Sequence, residues 1–179
     1  MLSNLFAVIL VGGLPVMWTY FMASQVGGGN FYVPGGKLEL GRWTFSMVLT
    51  VVSYFILAYT FVWGTEGGTI FSRPPEEIEP FLCATYVLFL ASAGQYVHHV
   101  LYDVYKGKKT WWHRLNLYST AVFSMVIAIF AWAIQGIDTP LFIVSCIAGG
   151  WLVFHHLVVD AVWWYMKWEV RTEYTGIQS

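Results

Sequence analysis

The sequence predicts an all-α, polytopic membrane protein with about five transmembrane helices, and three observations carry that prediction. Hydrophobic residues make up 58% of the 179-residue chain and charged residues only 11%. A soluble domain carries about 25% charged residues, so this chain has too little polar surface for water. Apolar stretches long enough to cross about 30 Å of hydrocarbon recur along the whole sequence. Lysine and arginine fall almost entirely in alternate connectors, as the inside-positive bias of membrane proteins requires.

The spans are placed near 4–24, 43–63, 80–103, 114–134 and 140–164. The first contains Gly12, Gly13 and Pro15, which predict a kink or a close helix contact. Its Met-Leu-Ser-Asn flank lacks a basic residue and no small-x-small site follows, so the run reads as a span, not a cleaved signal. On the second span Ser46, Thr50, Ser53 and Tyr54 recur at helical spacing, a polar stripe suited to another helix. Cys83 and Cys146 fall inside apolar runs and read as small core residues, not as a disulfide. The connectors are short. Residues 25–42 are glycine-rich (Gly27 to Gly29, Pro34-Gly35-Gly36), and residues 64–79 hold Arg73-Pro74-Pro75-Glu76-Glu77. Residues 104–113 and 135–139 complete the set, so 1–179 reads as one helical membrane domain.

Orientation follows from the basic residues. Lys37, Arg42, Lys106, Lys108, Lys109, Arg114, Lys167 and Arg171 fall on one side. Arg73 alone falls on the other, beside Glu66, Glu76, Glu77, Glu79 and Asp138. This predicts an N-terminus outside and a C-terminus inside. Trp43, Trp63, Trp111, Trp112, Trp163, Trp164 and Trp168 lie at span ends, where interfacial belts form. A net charge of −1 argues against nucleic acid as a partner. The expected partners are the lipid bilayer and other membrane subunits.

The best pointer to chemistry is a motif that occurs twice: His98-His99-Val-Leu-Tyr-Asp103 and His155-His156-Leu-Val-Val-Asp160. Four of the chain's five histidines belong to it. Ionisable residues within membrane spans are costly, which makes them functional candidates. Spans three and five run in the same direction, so both copies lie at similar depth. His99 and Asp103, like His156 and Asp160, are four residues apart and share a helix face. Small residues precede each copy (Ser92-Ala93-Gly94 and Ala148-Gly149-Gly150) and suit close helix approach or a flat cofactor.

If spans three and five touch, three chemistries fit. One is a transition-metal centre (Fe, Cu or Zn) with His99, Asp103, His156 and Asp160 as ligands. Another is haem b held by one histidine from each pair, His98 or His99 with His155 or His156. The third is a proton or quinone site with His and Asp as relay groups. A plainer reading pairs each His with the Asp of its own helix at headgroup level. His113, after Trp111-Trp112 and before Arg114, reads chiefly as an interfacial residue; otherwise it completes a site with His99 and Asp103.

The sequence holds no phosphate-binding glycine loop followed by Lys-Ser/Thr, no HExxH helix and no nucleophile elbow. The expectation is a metal- or haem-binding subunit of a membrane redox complex. The alternatives are a non-catalytic accessory subunit of a larger membrane complex, or a small zinc-dependent lipid-modifying enzyme whose Lys106, Lys108 and Lys109 attract anionic headgroups.

Overall fold

The computed structural model describes residues 1–26, 37–106 and 108–167. Of the glycine-rich connector expected at 25–42, residues 27–36 lie outside the described residues, as do the interfacial Trp168 and the basic Arg171, while Lys37 and Arg42 belong to a helix instead. The chain runs through α1 (Ser3–Val26), then α2 (Lys37–Tyr59), which continues into a π-helical turn (Thr60–Gly64). Next come β1 (Thr69–Ile70), α3 (Pro75–Lys106), α4 (Trp111–Trp132) and β2 (Ile134–Gln135). It closes with α5 (Thr139–Val153), a π-helical segment (Phe154–Trp164) and α6 (Tyr165–Lys167). Four helical stretches are long and apolar enough to cross a membrane: Phe45–Gly64, Pro75–Tyr96, Trp111–Trp132 and Thr139–Trp163. Ser3–Val16 of α1 is a shorter apolar stretch. The chain therefore has the composition and helices of a multi-pass integral membrane protein.

Pro75, Glu76 and Glu77, expected in a connector, instead open α3. Proline is pre-organised for the first helical turn, and acidic residues there complement the helix dipole.

The helices pack in the order α1, α3, α4, α5, α2, an open ring. Spans three and five therefore lie diagonally, with α4 packed against both. α1 and α2 meet at one end, where Leu2 N–H donates to the Val62 carbonyl at 3.1 Å and Phe6 packs edge-on against Trp63 at 5.4 Å. Among the described residues they share no extended packing beyond that end. The core between the helices is built from Leu5, Leu57, Phe61, Leu82, Tyr86, Ile127 and Leu152. The outward faces carry exposed Val48, Val87, Val122 and Ile147, as lipid-facing helices do.

Two features fix the ends. β1 and β2 pair antiparallel, with Thr69 opposite Gln135 and Ile70 opposite Ile134. This clip joins the connector between α2 and α3 to the one between α4 and α5, so both lie at the same end of the bundle. Gly136 supplies the positive φ (+76°) that the turn after β2 needs. At that same end Glu79 of α3 caps α1. Its Oε1 accepts from the backbone N–H groups of Asn4 (2.9 Å) and Leu5 (3.0 Å), satisfying donors that a helix start leaves open.

α4 and α5 come closest at Gly149. A Cβ there would sit 3.2 Å from both Cα and Cβ of Ala128. Gly149→Val is expected to wedge the two helices apart at a cost of about 1–3 kcal/mol. SDS-driven unfolding in mixed micelles measures this, and Gly150→Ala, which meets open space, is the neutral control.

Candidate functional site

The two copies of the motif have different surroundings. In the first, Asp103 is completely buried near the end of α3, and its carboxylate serves the start of α4. Oδ1 accepts from the backbone N–H of Thr110 at 2.9 Å and from the Thr110 hydroxyl. Oδ2 accepts from Nδ1 of His113 at 2.7 Å. Thr110 is the residue before α4, so a side chain of the preceding helix covers an open helix N-terminus. His113 is also completely buried, which corrects the expectation of an interfacial side chain. A ten-residue separation brings it back onto Asp103 because the connector is short. His99 is half-buried and lies parallel to the His113 ring, centroids 6.4 Å apart, while His98 is exposed. Burial first, and the neighbouring His113 second, hold His99 below the usual imidazole range.

The second copy sits in the π-helical segment. There i→i+5 hydrogen bonding replaces the i→i+4 ladder, so residues five apart stack. His155 Nε2 therefore meets Oδ2 of Asp160 at 3.3 Å. The expected pairing of His156 with Asp160 on one face is corrected accordingly. Its Nδ1 lies 2.8 Å from the Ser46 hydroxyl of α2, the closer of its two polar contacts.

His156 turns the other way. Its Nδ1 lies 2.9 Å from the Leu152 carbonyl and 2.9 Å from Ser124 Oγ of α4. The carbonyl can only accept, and the Ser124 hydroxyl donates to the Thr120 carbonyl at 2.7 Å. Nδ1 of His156 is therefore the protonated nitrogen, and Nε2 keeps its lone pair. Among the described residues Nε2 has no hydrogen-bond partner.

That imidazole lines an apolar cleft of about 540 Å³ between α1 and α2, floored by α3 and the π-helical segment. Phe6, Leu10, Tyr54, Phe55, Tyr59 and Trp63 wall it, and one end is polar, formed by His155, His156, Asp160 and Thr50. The volume falls in the range of small-molecule sites, about 300–1,000 Å³. No Lys or Arg is among its described lining residues, and Asp160 is its one acidic group. The cleft suits an amphiphile with a long apolar body and a small, uncharged, hydrogen-bonding head. A phosphate head would meet a carboxylate and no counter-charge.

The four expected ligands His99, Asp103, His156 and Asp160 are not gathered. Asp103 is turned to Thr110 and His113, Asp160 to His155, and His156 to Ser124. Among the described residues no three His, Cys, Asp or Glu side chains come close enough to hold a metal ion. Cys83 and Cys146 are free thiols. Sequence reasoning missed Ser124 and Thr110. Ser46 was legible as part of the polar stripe of span two, but not as a partner of His155. No known protein family, curated protein or solved structure matches the chain.

His113→Ala leaves the Asp103 carboxylate buried without its imidazole. The expected loss is about 1–3 kcal/mol, the cost of leaving a buried hydrogen-bonding group without its partner. The same change at exposed His98 is expected to cost under about 0.5 kcal/mol. Unfolding of the two variants in mixed micelles separates them, and equal losses would remove the capping role assigned to the first copy.

Proposed function

We propose that the protein is a five-span subunit of a membrane redox complex, with its N-terminus outside, and that its cleft binds a quinol. α1 supplies the fifth span, and the carboxylate-rich end with Glu79 and the β clip faces outward. The basic end with Lys108, Lys109 and Arg114 faces inward. The observation that carries the reading is the unprotonated Nε2 of His156 at the polar end of an apolar cleft. A quinol hydroxyl donates to that lone pair, and the isoprenoid tail runs between α1 and α2 toward Phe6 and Trp63. The space between α1 and α2 lets a lipid-soluble ligand enter sideways from the bilayer.

Oxidation of the quinol releases two protons and two electrons. His156 is placed to take a proton as the hydroxyl ionises, with the His155–Asp160 pair beside it. The two electrons would need an acceptor that the described residues do not supply, and a haem or metal centre of a partner subunit would provide it. Ser46 orients His155 and does not line the cleft. It also sits within a helix, with no pair of free backbone donors for an oxyanion, so a serine-nucleophile reading draws no support.

One observation favours a second occupant. A lone imidazole nitrogen lining a cleft of this size could also supply one ligand to haem b, which would then carry the electron transfer, although the lining offers its propionates no Lys or Arg.

Titration of the purified protein with a decyl-benzoquinol, followed by Trp63 fluorescence, tests the reading. Saturable quenching is expected, lost in Trp63→Phe. His156→Ala removes one hydrogen bond worth about 0.5–1.5 kcal/mol and is expected to weaken binding about three- to tenfold. Quenching that does not saturate, or that ignores His156→Ala, contradicts it. A Soret band lost in His156→Ala assigns the cleft to haem instead.

A further inference from the structure

Beside the cleft lies a second, small cavity of about 10 Å³, bounded by Ala93, Tyr96, Leu117, Thr120, His156 and Asp160. That is the space of one water, which needs about 10–15 Å³ and two to four polar partners. Thr120, Asp160 and Tyr96 supply them, and the His156 ring closes the wall. The cavity also lies on a polar column. On α4, His113, Asn116, Thr120 and Ser124 are all buried and follow one another at helical spacing. Buried hydroxyls and amides on one helix face are costly without partners. Asn116 is more than nine-tenths buried, and its Nδ2 has no partner among the described residues. Tyr96, which borders both cavities, packs its ring on His113 at 5.7 Å. Beyond His113 come Asp103, the half-buried His99 and the Tyr165 ring, 5.7 Å from His113.

We propose that the small cavity holds an ordered water, and that this water, with Thr120 and Tyr96, joins His156 and Asp160 to His113 and Asp103 as a wet seam. A proton leaving the cleft crosses this seam to the inner membrane surface, where His99 is the half-exposed outlet. The proposal rests on the quinol reading for the source of the proton, but not for the water. The seam also accounts for the unlike fates of the two motif copies, one at each end of one polar path.

The test uses the full chain in lipid nanodiscs, labelled with ¹⁵N at histidine, with decyl-benzoquinol filling the cleft. Transfer of water magnetisation to each imidazole is measured by solid-state NMR. Transfer to His156 is expected in the wild type and should fall about threefold or more in Thr120→Val, where the water loses a polar partner. Thr120→Ser is expected to retain it, and transfer at exposed His98 should not change in any variant. If Thr120→Val does not fold, Ala93→Val, which adds two methyl groups to the lining, closes the same cavity. Absence of transfer at His156 in the wild type overturns the proposal, as does transfer that ignores both Thr120→Val and Ala93→Val. Loss of Trp63 quenching with transfer to His156 intact counts against quinol binding and leaves the wet seam standing.

Discussion

The carboxylate of Asp103, buried between two helices and received by Thr110 and His113, ties the end of α3 to the start of α4. It closes the N-terminus of α4 from α3, so the two helices share one short, defined connection. Glu79 does the same for α1 at the other end of α3. Both carboxylates take donors that a helix start leaves open, and at Thr110 the acceptor is a completely buried side chain. With both neighbours tied to α3, α1 stands beside α3 and away from α2. The space between α1 and α2 is the cleft.

The second constraint is the switch from α- to π-helical winding at Phe154. π-Helical turns are rare and often mark functional sites. Here the switch separates two adjacent imidazoles. His155 is drawn to Asp160 and Ser46, and His156 to Ser124 and the Leu152 carbonyl. The Leu152 carbonyl, which can only accept, holds the proton of His156 on Nδ1 and leaves Nε2 as the open nitrogen of a ring that lines the cleft. A regular α-helix would have put His156 over Asp160 and left His155 on another face.

Much of the architecture was legible in the sequence because composition and hydropathy report on solvent directly. The apolar runs that became α2, α3, α4 and α5 need no tertiary information. The doubled motif was legible as an anomaly of cost, since ionisable groups beside apolar runs demand a reason. What each copy does was not legible. The i, i+4 argument assumes α-helical winding, and nothing in Phe154 to Trp164 announces a π-helical segment. The diagonal placement of α3 and α5 depends on which faces pack, and those faces are apolar nearly all round. His113 looked interfacial because it follows Trp111 and Trp112, and only the turn at Thr110 brings it under Asp103.

The central claim is that His156 keeps an unprotonated Nε2 facing the cleft. The most direct measurement is the pair of ¹⁵N chemical shifts of His156 in the membrane-embedded protein, with and without a quinol. The account predicts a protonated Nδ1 and a bare Nε2 in the ligand-free protein, with the Nε2 signal moving as the ligand's hydroxyl donates to it. A proton on Nε2 in the ligand-free protein, or an Nε2 signal indifferent to the quinol, would contradict it.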